Sequence, residues 1–245
     1  SQKREKIKGS KIVTTSIKEV GDFDALEADD NIEVYLERGE KNEIKIEADD
    51  NLHDIIAMDL REKTLRLYTS KETSIFKKLI VRVTYTSSLK KVIAKNEALI
   101  YAIQEIQLDD ITFNAIDYAK LFLNVNAKKF SLIVDDKTKT ELNLKSDDGS
   151  FQLSKNANVK ALVTAKEFKC DLYQKGTAIL EGFVEKGTIR LDNNSVFNSP
   201  KLSIKEASIV AESYSTANIF AEIGISIAVS DKAEISLLGN PKIEL

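Results

Sequence analysis

The stretch Phe130-Ser131-Leu132-Ile133-Val134-Asp135-Asp136-Lys137-Thr138-Lys139-Thr140-Glu141-Leu142-Asn143-Leu144-Lys145-Ser146-Asp147-Asp148-Gly149-Ser150-Phe151-Gln152-Leu153 decides the fold. It carries short β-like triplets at Phe130-Ser131-Leu132, Thr140-Glu141-Leu142 and Phe151-Gln152-Leu153, with a polar cluster at Ser146-Asp147-Asp148-Gly149. The same layout recurs on both sides. One series of triplets starts at residues 98, 119, 140, 158, 177, 217 and 233, and its one double step is filled by Ser195-Val196-Phe197. A second series starts at Phe130, Phe151, Phe168 and Ile189. Repetition near twenty residues marks a stacked architecture. Each unit has room for strands but not for a helix of ten or more residues. A unit of two or three short strands cannot bury its own apolar face, so units pile up and share one column. Phe130, Phe151 and Phe168, continued by Ile189, are expected to form an inward ladder. The expected fold is all-β, a right-handed parallel β-helix. An antiparallel sandwich also has evenly spaced strands. The solenoid is the better reading because the period carries residue identity as well as spacing.

Upstream, the pattern changes to hairpins. Ile32-Glu33-Val34-Tyr35-Leu36 and Ile44-Lys45-Ile46-Glu47-Ala48 alternate around the turn Arg38-Gly39-Glu40-Lys41-Asn42 and read as one hairpin. Asp50 or Asn51 is placed to cap a short helical turn through Leu52, Ile55 and Ile56. Met58 and Leu60 face Leu65 and Leu67 across a turn at Glu62-Lys63, and Leu79–Tyr85 is a further strand. The lysine-rich stretch 71–78 reads as a solvated loop. The expected organisation is an N-terminal arm over 1–20 and one β-helix domain over 21–245. Within it, 21–94 form opening strands and hairpins and 95–245 form stacked coils.

Composition narrows the function. The 245 residues include 36 basic and 39 acidic side chains, a net charge of −3, which gives no basic stripe for nucleic acid. One cysteine, Cys170, excludes an internal disulfide, and one histidine, His53, excludes a two-histidine metal site. Two prolines and nine glycines argue against flexible low-complexity linkers. No apolar run is long enough for a membrane-spanning helix.

In order along the chain, Ile7-Lys8-Gly9-Ser10, Val13-Thr14-Thr15, Phe23-Asp24-Ala25-Leu26-Glu27-Ala28, Ile32–Gly39, Ile44–Leu52 and Ala233–Pro241 resemble the bacterial head GIN domain family of auto-transporter adhesin-like proteins. The resemblance implies a right-handed β-helix, export to the periplasm, outer membrane or cell surface with a signal peptide removed, and an adhesion or surface-binding role. It carries over no catalytic residue. The family's repeated Ser-Gly-Ala/Ser turn survives here only as remnants, in Asp148-Gly149-Ser150 and Ile223-Gly224-Ile225-Ser226.

The expected function is therefore a non-enzymatic envelope or surface protein that binds a protein or glycan ligand. The alternative is a carbohydrate-binding or carbohydrate-active protein using an acidic coil edge. That edge is the candidate ligand-binding set: Asp109, Asp110, Asp135, Asp136 and Asp192. Stacking would align carboxylates into a ledge of oxygen ligands, the donor type calcium takes. The competing reading is that aspartates at strand ends satisfy turn amides. No metal, cofactor, catalytic residue or nucleic-acid partner is expected. His53 reads as a surface residue and Cys170 as a buried small hydrophobe. Because a solenoid leaves its ends unpaired, homo-oligomerisation through those ends is also expected.

Overall fold

A computed structural model of the chain describes residues 3–245. Its solenoid rises from seven long strands, each running around most of one rung. The chain first lays down β1 (Lys6–Lys8), β2 (Val13–Glu19), β3 (Ala25–Ala28), β4 (Glu33–Arg38), β5 (Glu43–Asp49), a 3-10 helix over Asp50–Ile55, β6 (Ile56–Arg61), β7 (Thr64–Thr69), β8 (Glu72–Ser74), β9 (Leu79–Tyr85) and β10 (Lys91–Ala94). The rungs follow as β11 (Leu99–Ala115), β12 (Lys120–Val134), β13 (Lys139–Leu153), β14 (Asn158–Leu172), β15 (Thr177–Leu191), β16 (Val196–Ala211) and β17 (Thr216–Val229), closed by β18 (Glu234–Leu238) and β19 (Lys242–Glu244). About 8 turns stack in all, and every pairing from β10 to β19 is parallel.

From β12 to β16 the rung is nineteen residues long. Lys120, Lys139, Asn158, Thr177 and Val196 lie directly above one another. Side chains alternate in and out along each strand, except where a strand bulges and at a corner of each rung, where two consecutive residues both face water. Those corners are Asp109-Asp110, Lys128-Lys129, Asp147-Asp148, Lys166-Glu167, Glu185-Lys186 and Lys205-Glu206. Skipping a beat there turns the strand and re-aims the next residues at the core. A four-residue turn closes each rung, with left-handed backbone at Asp117, Asp136, Lys155, Gln174, Asn193, Ser213 and Asp231. Asp and Asn recur among these because they tolerate that conformation better than branched residues.

The aromatic ladder points inward, in a different register from the expected one. Phe130 sits in register with Gly149 and Phe168, whereas Phe151 sits with Leu132, Cys170 and Ile189. Gly149 leaves the gap that the rings fill: a Cβ there would meet Leu144 and Phe168 at 3.3 and 3.4 Å. Phe113, Phe130, Phe151 and Phe168 still form one continuous column, at centroid spacings of 6.2, 6.2 and 4.8 Å. All four are buried, each contributing about 1.5–3 kcal/mol of apolar burial. At β16 the extra residue Pro200 breaks the ladder, and the buried Ser199 hydroxyl replaces it by accepting from the Leu180 N–H at 3.0 Å.

The N-terminal end is closed and its order is out of sequence. β7 and β9 lie outermost in the parallel stack, β3 and β4 come next, and β10 and β11 follow. The expected hairpin between β4 and β5 does not form. The apolar strand β9 inserts between them, parallel to β4 and antiparallel to β5. β2 then pairs antiparallel on β5, and β6 on β7 in the hairpin expected there. The 3-10 helix covers the column with buried Leu52 and Ile55. Neither Asp50 nor Asn51 caps it by a side-chain hydrogen bond; the N-cap position is Asp49. Residues 71–78 are only partly a loop, since β8 pairs with β1 and Phe76 packs on the core.

Asp49 ties this cap together. It is fully buried and accepts from the backbone N–H groups of Lys11, Lys77 and Lys78 at 2.9–3.1 Å. Burial alone would raise its pKa, but those N–H donors together hold the carboxyl below the usual range. A depressed carboxylate contributes stability that is present above the unfolded pKa and is lost as pH falls through the folded one. Replacing Asp49 by Ala is expected to cost about 3 kcal/mol in urea unfolding at neutral pH. Wild-type stability should fall as pH drops below about 4, and the variant should show a shallower dependence, since Glu47 and Asp29 remain depressed.

Candidate binding face

Stacking in register turns outward side chains into columns. One column runs Arg82, Tyr35, Tyr101, Phe122, Glu141, Lys160 and Ile179. Its aromatic members form an external ladder. Tyr35 and Tyr101 stack at 4.8 Å with planes 12° apart, and Tyr101 and Phe122 at 4.9 Å and 11°. These spacings match the strand separation of about 4.8 Å, so each ring rests on the ring of the next rung. The Arg82 guanidinium closes one end, 4.8 Å from the Tyr35 centroid. Arg82 is itself fixed by Glu47 at 2.8 Å and Glu37 at 3.2 Å. The Arg82 hydrogen bond, first of all, holds the Glu47 carboxyl below its ordinary pKa.

At the other end Phe122 has no ring above it. Its side toward Glu141 and Lys160 borders an open groove of about 550 Å³. Ile103, Leu162 and Ile179 supply apolar walls, and Asn124, Asn143 and Glu181 supply polar ones. Ile103 is 73% exposed and Leu162 47% exposed. Ile103 projects because β11 bulges between Ala102 and Ile106.

The acidic set lies elsewhere and is divided. Asp109 and Asp110 form a corner doublet, and Asp109 faces Lys128 at 3.7 Å. Asp135 and Asp136 sit in a rung-closing turn, where Asp135 accepts from the Asp136 N–H at 2.7 Å and both contact Lys155, at 3.7 and 3.4 Å. The Asp135 and Asp136 charges hold the Lys155 ammonium above its usual range. Asp192 occupies the same turn column three rungs along, about 14 Å away. Among the described residues no three His, Cys, Asp or Glu side chains converge as a metal site. No helix among them is long and apolar enough to cross a membrane.

His53 is half-buried and structurally committed. Its Nε2 lies 3.1 Å from the carbonyls of Thr14 and Ala48, to which it donates, and Nδ1 is hydrogen-bonded with the Ser16 hydroxyl at 2.9 Å. Cys170 is fully buried, and burial pushes its thiol pKa well up, the state of an inert thiol. The ladder itself escapes sequence reading, because Tyr35 and Tyr101 are far apart in the chain and only the out-of-order N-terminal rungs bring them together. A sequence signal did exist for register: the charged doublets at 109, 128, 147, 166 and 185 recur every nineteen residues.

A family model described as "Putative auto-transporter adhesin, head GIN domain" matches residues 22–241. No curated protein matches the chain. Among solved structures, a putative adhesin from Parabacteroides merdae is similar at 20% identity and TM-score 0.67, covering 98% of this chain and 100% of its own. A putative lipid binding protein from Parabacteroides distasonis has 15% identity and TM-score 0.66, covering 98% and 95%. A putative adhesin from Bacteroides fragilis has 15% identity and TM-score 0.60, covering 97% and 100%. At these identities the likeness shows the fold.

Burial, then the charge of Glu33 and the neighbouring Tyr35, raise the Tyr101 phenol above its ordinary pKa. In a spectrophotometric titration, the difference between wild type and Tyr101→Phe should be a phenol ionising above about 10. Glu33→Gln should lower that value without restoring it fully, since burial remains. A Tyr101 signal at the ordinary value would contradict its burial beside Glu33.

Proposed function

We propose, from the premise that this chain belongs to the "Putative auto-transporter adhesin, head GIN domain" family, that it is an exported, non-enzymatic adhesion module of the cell surface. The observation that carries this reading is the external aromatic ladder ending at the open groove beside Phe122. Exposed aliphatic side chains beside half-buried aromatic ones on a rigid face, with polar groups around them, have the composition of a recognition surface. The rest of the chain supports a binding role over a catalytic one. His53 spends its ring nitrogens on Thr14, Ser16 and Ala48, and Cys170 is inaccessible. A nucleophile needs a base within hydrogen-bond reach, and neither residue serves such a pair. The parallel ladder gives the face its rigidity, so little ordering is needed when a ligand binds.

Beads coated with the wild-type chain should be retained on at least one of immobilised mucin, fibronectin, laminin and collagen. Phe122→Glu, which places a charge at the head of the ladder, should reduce that retention severalfold while leaving the circular dichroism of the solenoid unchanged. On intact producing cells the protein should be cleaved by added protease. Full protection from protease, or no retention on any of the four surfaces, would overturn the proposal.

A further inference from the structure

The groove beside Phe122 combines three kinds of group. Phe122, Ile103, Leu162 and Ile179 present apolar surface. Asn124 and Asn143 lie side by side in register, each amide offering both donors and acceptors. Glu141 and Lys160 are likewise in register, yet among the described residues neither has an ion-pair partner within 4.0 Å. The groove's third charge, Glu181, is already matched by Lys201 at 4.0 Å. The free charges therefore sum to zero, one acceptor and one donor.

This chemistry selects among ligands. A polyanion needs several cations, and the groove offers Lys160 alone. An acyl chain needs enclosure, and this groove is open along its length. A pyranose ring fits both halves: its C–H face is flat and apolar, and its hydroxyls each donate and accept. Phe122 stacks on Tyr101 on one side, has Glu141 as its register neighbour on the other, and lines the groove as a half-buried ring. A flat apolar group seated in the groove can lie against the Phe122 side chain, where the outward column changes from rings to Glu141. Around it, Asn124, Asn143, Glu141 and Lys160 provide hydrogen-bonding partners of both senses.

We infer that this groove is a saccharide subsite, in which one neutral pyranose packs its apolar face on Phe122 and directs its hydroxyls to Asn124, Asn143, Glu141 and Lys160. The inference rests on the proposed adhesive role and names the ligand class for it.

The test is saturation-transfer and chemical-shift NMR on the whole chain, using the methyl glycosides of glucose, galactose, mannose and N-acetylglucosamine, with N-acetyl-tyrosinamide as the aromatic competitor. At least one glycoside should bind with a dissociation constant on the order of 1 mM, as its size allows. Saturation should concentrate on the protons of one ring face, and the Phe122 ring signals should shift. Phe122→Leu keeps apolar packing but removes the aromatic face, and should weaken binding about tenfold. Asn143→Leu should weaken it while leaving Phe122 in place, and amide spectra verify that both variants fold. Binding of no glycoside, undiminished binding in Phe122→Leu, or preference for N-acetyl-tyrosinamide would each overturn the inference. If Phe122→Leu loses retention on a coated surface while no glycoside binds the wild type, the adhesive role stands and the saccharide assignment falls.

Discussion

A rung must return to its starting point before the next one can begin, and the backbone ladder then ties each residue to its equivalent one strand away. That closure over nineteen residues governs everything else in the molecule. It makes any side chain part of a column, inside or outside, whose neighbours are set by register and not by sequence proximity. Inside, the columns must be apolar and close-packed, which Phe113, Phe130, Phe151 and Phe168 achieve with Gly149 making room. Outside, the same constraint stacks Tyr35, Tyr101 and Phe122 at strand spacing without any dedicated scaffold.

The fold was largely legible, and the reason is physical. A recurring strand–turn unit too small to bury its own face leaves few architectures, and the inward phenylalanines identified the stack. Register was less legible. Inward positions alternate every second residue, so Phe130 and Phe151 can exchange places with Leu132 and Gly149 in the column while the local volume is conserved. Spacings of 21 and 17 residues between the phenylalanines average to the true rung and conceal it. The charged doublets hold the period better because they are fixed by corner geometry, which admits no such exchange. At the N-terminus, a polar turn between two alternating strands suggests a hairpin. The more apolar β9 takes the central place instead, since its Leu79, Ile80, Val81 and Val83 gain more from burial there than β5 does.

The candidate site was mostly hidden. Aspartates stand out in a sequence, but here they occupy turns and corners, where Lys128 and Lys155 already answer them. The aromatic ladder depends on β4 lying against β11 and β9 against β4, an order that no local pattern announces. Arg82, held by Glu47 and Glu37, seals the ladder on the side of the closed cap. The ladder is therefore bounded by a charged residue at each end, Arg82 on one side and Glu141 on the other, and its Phe122 end adjoins the groove, which gives the face a direction along the solenoid axis.

The corner doublets also bear on how such a chain can lengthen. Down one corner the first member of each doublet reads Asp109, Lys128, Asp147, Lys166, Glu185, Lys205, so the sign reverses at each step. Copying a single turn of the gene would set like charge against like at the junction, an unfavourable cross-strand pairing. Copying two turns preserves the alternation. For this first member of the doublet, the unit in which the protein can grow or shrink with its charge alternation intact is the pair of turns.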